Sequence, residues 1–362
     1  MQELFDAGKK VYSFSKLSSI GNCPYEAYLS YIAHCKTKRQ GVWGVLGGKI
    51  HDKLEEITNG DADKSELLPL VGEELEYLDM LGIEFPKDRN GGNAIRDNWV
   101  TNMEHFGKYF KPLKGDYSTE ELLILKVDDD HYLQGYADLI KHNDDGSVSV
   151  LDWKSSSMYS DEDFEHAAHQ LVIYGLAKEA EGFEVKTLSW IFMKYVTMMF
   201  MGKKRSNSKT KEPIKKHIER RKIGKEMSRY VKDDLKEAGY SSVEIDLYID
   251  NLIKTNSFAG LPDEIRTNYK MAPCVISTPF DDEAKEKTWQ FINDTIEDFE
   301  VRGFKEEAWP HREFTTVNRA GKAKEDTFYC NALCSYGNTC KHIAAFNESK
   351  LGSQDDDYSE LF

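Results

Sequence analysis

Near the middle of the 362-residue chain, the stretch LDWKSSS (151–157) sets Asp152 and Lys154 two positions apart at the end of an apolar run. On a strand, residues i and i+2 face the same way, so a carboxylate and an ammonium would stand side by side. An isolated surface pair of that kind contributes little. A second carboxylate changes the chemistry. Asp138 sits in the preceding apolar run, GYADLI (135–140), and the turn-forming HNDDG (142–146) separates the two. Antiparallel neighbours lie about 4.8 Å apart, so Asp138 and Asp152 could converge on one cation. Hard divalent ions such as magnesium favour a few carboxylates and several waters, leaving room for phosphate oxygens. Lys154 at that edge could orient an attacking water or offset charge developing on phosphorus. The chemistry expected of the group is metal-assisted attack of water on a phosphoryl group, with no covalent protein intermediate needed.

The flanking segments must bring these residues together. ELLILKV (121–127), HYLQGYADLI (131–140) and SVSVLDW (147–153), separated by DDD and HNDDG, predict a three-stranded antiparallel meander. Glu121, at its start, reads as a strand-edge charge, with a place in the site as the less favoured alternative. DEDFEHAAHQLVIYGLAKEAEG (161–182) predicts a helix. On it Gln170 and Tyr174, four apart, share a face. VKTLSWIFMKYVTMMFM (185–201) returns to strand character. Upstream, YSFSKLSSIGNCPYEAYLSYI (12–32) suggests a helix capped by Ser15 or Ser18, and GVLGGKIHDKLEEITN (44–59) a helix carrying His51. Residues 65–112 read as mostly helical around the loop DRNGGN, and 241–254 and 281–303 as amphipathic helices. The fold class expected is α/β of the α+β type. We divide the chain into an N-terminal helical arm (1–115), a core (116–202), a basic insertion (203–225), a helical segment (226–305), a cysteine-bearing segment (306–346) and an acidic tail (347–362).

The motifs GGKIHDKLEE, GYADLI, VLDWKSS and HQLVIYGLA occur in that order from positions 47, 135, 150 and 169. This order resembles the PD-(D/E)XK nucleases, and within them the RecB-type branch with its relatives among CRISPR-associated adaptation nucleases and phage exonucleases. The resemblance covers roughly residues 11 to 345 through dispersed short motifs. It implies a restriction-endonuclease-like core, a central mixed sheet flanked by helices. It also implies metal ligation by His51, Asp138 and Asp152, with Asp138, Asp152, Lys154, Gln170 and Tyr174 as the catalytic set. The metal would be magnesium, or manganese given the imidazole. The activity implied is that of a DNA nuclease, an exonuclease of recombination, repair or replication in a cell or a phage. No helicase phosphate-binding loop is present, so unwinding would fall to a partner. Two rival readings are a catalytically inactive DNA-binding or scaffold member of the fold and an iron–sulfur electron-transfer protein. The intact Asp138, Asp152 and Lys154 speak against both.

Six cysteines are present, three of them in CNALCSYGNTC: Cys330, Cys334 and Cys340. Such clustering in an intracellular chain suggests metal ligation. A fourth ligand must come from elsewhere, and Cys23 is the best candidate. Four thiolates suit zinc. The branch named above has members with one upstream and three C-terminal cysteines that bind a [4Fe–4S] cluster, which here would join the N- and C-terminal arms. The local spacing there is two residues and then five, whereas this chain has three and then five. Cys35 and Cys274 read as ordinary buried thiols.

The formal net charge of −15 argues against a general polyanion binder, but the charge is segregated. In residues 203–225, eleven of 23 are Lys or Arg. The strip is either a solvated insertion or a sequence-independent contact to the DNA backbone through Lys203, Lys204, Arg205, Lys215, Lys216, Arg220 and Arg221. The acidic end, DDDYSELF (355–362), reads as a solvated tail. Its last four residues loosely resemble Leu-Phe peptides that bind replication sliding clamps. No run is long enough to span a membrane and the N-terminus lacks a secretory layout, so a cytoplasmic protein is expected.

Overall fold

In the computed structural model, residues 2–36, 41–88, 90–205, 207–317, 321–337 and 339–356 are described. The final residues, with the clamp-like peptide, lie outside them. The expected meander forms. Strand β2 (Asp116–Lys126) pairs antiparallel with β3 (His131–His142), which pairs antiparallel with β4 (Val148–Lys154). The Asp161–Ala180 helix then crosses over to β5 (Val185–Gly202), parallel to β4, as a parallel connection requires. Three further strands join the same sheet: β1 (Lys10–Ser13) parallel to β3, and β6 (Glu212–Glu219) and β7 (Lys270–Thr278) antiparallel to β5. A separate hairpin, β8 (Thr315–Val317) with β9 (Ala323–Glu325), precedes the C-terminal cysteines. The seven-stranded sheet is mixed, with helices on both faces.

Two interruptions give the sheet its character. β2 runs along one edge of β3, and the other edge is shared: β1 covers residues 131–134 and β4 covers 139–142, leaving 135–138 without a backbone partner on that side. β5 repeats the arrangement. β7 takes one edge, while β4 covers 185–192 and β6 covers 195–202 of the other.

Packing explains the strand compositions. β5 is almost continuously apolar because both its faces are covered. On one face, Leu133, Val150, Leu171 and Trp190 form a core with the Asp161–Ala180 and Asp282–Arg302 helices. On the other, Trp153 and Ile191 meet Leu46, Ile50 and Leu54 of the Val42–Asn59 helix and Met103 of the Ala94–Tyr109 helix. Residues 203–225 differ from the separate insertion expected. They supply β6 and lead into the Ile223–Glu237 helix, because Ile214 and Ile218 alternate with the charges and pack with Met227 and Val231.

The helix start near the N-terminus is also displaced from expectation. Ser13, not Ser15 or Ser18, accepts the Lys16 N–H at 3.2 Å, because β1 runs straight into the Phe14–Asn22 helix and only Ser13 keeps an extended backbone there. The two ends of the chain meet directly. Tyr25 N–H donates to Pro310 O (3.0 Å), Tyr329 OH to Glu26 (2.5 Å) and Tyr336 OH to Cys35 O (3.0 Å). Cys274 is buried as expected, but Cys35 is exposed, since it follows the last turn of the Tyr28–Ile32 segment onto a loop. No helix among the described residues is long and apolar enough to cross a membrane.

Gly175 lets the Asp161–Ala180 helix seat on the sheet: a Cβ there would stand 2.7 Å from Phe280 and 3.2 Å from Leu188. Gly175→Val should therefore lower unfolding stability by about 1–3 kcal/mol in urea titration. An unchanged midpoint would show that the helix does not rest on this contact.

Candidate active site

The interruption beside β3 is where the candidate residues gather. The β3–β4 ladder stops at Leu139–Leu151, one pair short of Asp138 and Asp152. There the Asp138 carboxylate, rather than a β3 carbonyl, accepts the Trp153 N–H at 2.8 Å. A side chain thus satisfies a backbone donor that the parted ladder would leave bare.

Across the opening, the Val42–Asn59 helix brings His51 Nδ1 to 3.4 Å from Asp138 Oδ2. Burial alone would lower the imidazole pKa, but the hydrogen bond and charge of Asp138, with Asp152 behind it, raise it. Asp152 is buried, and its carboxyl pKa is driven up by that burial, opposed by Lys154 and reinforced by Asp138. Lys154 Nζ lies 2.7 Å from Asp152 Oδ2 and donates to Gln170 Oε1 at 3.2 Å. Although burial opposes it, the Asp152 charge holds the ammonium protonated. Gln170 Nε2 in turn donates to Tyr174 OH at 3.2 Å, and burial pushes that phenol to about 12, so it stays neutral. Tyr174 reaches this place because residue 135 is glycine: a Cβ there would sit 2.5 Å from its ring. Four segments distant in sequence therefore converge on one opening, from the Val42–Asn59 helix, β3, β4 and the Asp161–Ala180 helix.

Glu120 also faces this group. In the β2–β3 ladder it falls opposite Asp138, between the pairs Thr119–Leu139 and Glu121–Ala137. Its φ of +45° is unusual for a residue with a side chain, and it turns the strand so that its neighbours serve different helices. Thr119 bonds Asn59 and Glu55 of the Val42–Asn59 helix, whereas Glu121 pairs with Lys178 of the Asp161–Ala180 helix at 2.8 Å. Glu121 is thus a structural ion pair. Glu120 is solvent-facing, yet the surrounding protein, followed by the Asp138 and Glu55 carboxylates, raises its pKa. No sequence pattern pointed to it, because strict alternation assigns 119 and 121 to one face.

The donor chemistry suits a divalent cation. Asp152 Oδ2 is buried and, despite its closeness to Lys154, accepts no well-directed hydrogen bond. A second carboxylate and an imidazole stand beside it, a set that oxygen-seeking ions with some tolerance for nitrogen take. Among the described residues, no group of three or more His, Cys, Asp or Glu side chains could hold a metal ion as they stand.

A second convergence lies between the chain ends. Cys23, Cys330, Cys334 and Cys340 line one tight cavity of about 10 Å³. Burial raises the pKa of Cys23 and Cys334 and takes Cys330 to about 11, with the Cys23 thiol adding to the rise at Cys330 and Cys334.

The basic strip is largely neutralised from within. Lys203 pairs with Glu237 (2.9 Å), Lys204 with Glu212 (2.6 Å), Lys216 with Glu226 (2.6 Å) and Arg221 with Glu219 (2.7 Å). Arg205 and Lys215 are exposed. Arg220, expected at a DNA contact, is instead buried and hydrogen-bonded to the Met193 carbonyl, because it fills the break between β4 and β6 beside β5.

A family model described as the PD-(D/E)XK nuclease superfamily matches residues 11–341. No curated protein matches the chain.

A cation at this site must compete with protons on both Asp152 and His51, whose pKa values are raised. Both groups would bind metal only when deprotonated, so affinity would rise with pH. Calorimetry should show Mn²⁺ affinity falling by more than about tenfold between roughly pH 7.5 and pH 5.5, a window in which ordinary carboxylates stay ionised. A flat profile would remove these two residues from the ligand set.

Proposed function

The chain belongs to the PD-(D/E)XK nuclease superfamily, and from that premise we propose that it is a Mg²⁺- or Mn²⁺-dependent deoxyribonuclease, an exonuclease of the RecB-type branch serving recombination, repair or replication. The observation that carries this reading is the meeting of His51, Asp138, Asp152 and Lys154 at the opening beside β3.

His51, Asp138 and Asp152 would hold the ion. When bound, it supplies Lewis-acid polarisation of the phosphodiester and charge stabilisation. The residues of the chain do the rest. Asp138 is held toward the opening by the Trp153 N–H. Lys154, kept cationic by Asp152 and steered by Gln170 Oε1, presents an ammonium that orients the attacking water and meets the charge growing on the phosphoryl oxygens. Tyr174 fixes Gln170 by accepting its amide hydrogen, so the Gln170 oxygen is left facing Lys154. Glu120, across from Asp138, adds a carboxylate that can hold water near the ion.

We further propose that the four cysteines hold a [4Fe–4S] cluster, with zinc as the rival, and that it reinforces a junction already made by Tyr25, Tyr329 and Tyr336. Cys23, Cys330, Cys334 and Cys340 would supply the four thiolates, and the cluster would tie the N-terminal segment to the C-terminal one. Arg205 and Lys215 are the members of the strip best placed to contact a DNA backbone. A helicase partner would supply unwinding.

Labelled linear DNA with Mg²⁺ or Mn²⁺ tests the central claim. Asp152→Asn and Lys154→Ala should each slow digestion at least about 100-fold, and Lys154→Ala should still bind Mn²⁺ by calorimetry. Digestion untouched by either change would end the reading. For the cysteines, protein purified without oxygen should carry iron, sulfide and visible colour that Cys334→Ser removes. Zinc alone in the native protein would replace the cluster.

A further inference from the structure

A cavity of about 380 Å³ opens beside the break between β4 and β6, walled by Trp153 and Ile191 from one face of the sheet and reaching Phe192 and Cys274 at the break. Its wall is aromatic. Trp153 meets Phe106 and Phe110 edge to face, at centroid distances of 6.3 and 6.2 Å, and half-buried Tyr109 stands nearer solvent. Arg220 lines the same space at only 5% exposure.

The surroundings of Arg220 do not balance its charge. Its Nε–H donates to Met193 O at 2.5 Å, its Nη1 to His105 Nδ1 at 3.2 Å, and its guanidinium lies 5.1 Å from the Phe106 centroid. Among the described residues no carboxylate pairs with it; Glu219, the nearest in sequence, is taken by Arg221 and Lys222. Burial lowers its pKa only to about 10, so it remains a cation. His105 is neutral, held at about 4 by burial and then by Arg220 and Lys108. Buried cations are ordinarily paired, because removing one from water without a counter-charge is costly. Around the mouth stand Lys64, Lys108 and Lys111, all exposed and without an ion pair among the described residues. One buried cation, three cations at the rim and an aromatic wall call for a ligand that is both anionic and flat.

We propose that this cavity binds a nucleoside monophosphate, free or as the end of a DNA strand, with the phosphate on Arg220 and the rim lysines and the base against the aromatic wall. Base stacking on aromatic side chains and phosphate contacts with Arg and Lys are the two halves of such recognition. The site is separate from the opening beside β3, but Trp153 joins them: its ring walls the cavity, its N–H is held by Asp138, and it stands between Asp152 and Lys154 in β4. That link to catalysis rests on the nuclease reading, whereas the binding itself does not.

Calorimetric titration of the full chain in EDTA tests the site without hydrolysis, so its outcome is independent of whether the protein cuts DNA. The probes are dTMP, thymidine, inorganic phosphate and a short oligonucleotide with and without a 5′-phosphate. Binding of dTMP, or of the 5′-phosphorylated oligonucleotide, should exceed that of thymidine and of phosphate by at least about tenfold. Binding of dTMP assigns a free nucleotide, and binding of the phosphorylated oligonucleotide alone assigns a strand end. Arg220→Gln should weaken the interaction at least about tenfold. The double change Lys108→Glu with Lys111→Glu, at exposed positions, should do the same and carries the test should Arg220→Gln not fold. No binding, equal binding of bare phosphate, or affinity unaltered in the rim variant would overturn the proposal.

Discussion

Everything at the opening beside β3 depends on one backbone donor, the Trp153 N–H, and on what accepts from it. A sheet ordinarily closes its ladders because an unmade buried hydrogen bond costs on the order of 1–3 kcal/mol. Here β3 and β4 part after Leu139–Leu151, and the Asp138 carboxylate takes the bond that the ladder gives up. The substitution has two consequences at once. It keeps the end of β4 in register although β3 no longer pairs with it, and it fixes an anion where the strands separate. Asp152 and Lys154 are carried by the same short segment, so their positions follow from that bond as much as from their own contacts.

The second constraint is burial. A carboxylate as enclosed as Asp152 would ordinarily be neutralised, and the ammonium of Lys154 at 2.7 Å offsets only part of the penalty. Such a pair is poor as a stabilising device but useful chemically, because a carboxylate oxygen short of hydrogen bonds favours any cation that arrives. The surrounding shell follows the same economy. Gln170 must offer its oxygen to Lys154 because its amide nitrogen is committed to Tyr174, and Tyr174 is held down by the absence of a side chain at Gly135.

The sequence carried much of this. Turn chemistry around 128–130 and 142–146 is local, and it correctly predicted the meander; Asp138, however, lies within β3 rather than at its end, and meets Asp152 because the register sets the two opposite each other just past the Leu139–Leu151 pair. The helical spacing of Gln170 and Tyr174 is likewise local and correctly placed them on one face. What escaped depends on the third dimension. Glu120 enters the site through a single positive φ that reverses the alternation of β2, and no residue type announces it. The strip at 203–225 looked like a free-standing cationic surface because its carboxylate partners lie partly in the helix that follows, at Glu226 and Glu237. Arg220 is the sharpest case: surrounded by charges in sequence, it ends up under the sheet because β5 needs a donor where one neighbour has ended and the next has not begun.

The two interruptions are related by more than likeness. β4 is the strand that ends at both: its pairing with β3 fails at Asp152 and its pairing with β5 stops at Lys154. One break is filled by a carboxylate and the other by a guanidinium, each accepting or donating one backbone hydrogen bond that a continuous ladder would have made. Trp153 lies between them, its N–H bound to the first filler and its ring packed on Phe106, the aromatic that also stacks beneath the second. A tryptophan so placed cannot shift without disturbing both. A sheet interrupted twice around one short interior strand therefore holds a negative and a positive site within reach of the same side chain, and the strand that connects them is the one that carries Asp152 and Lys154.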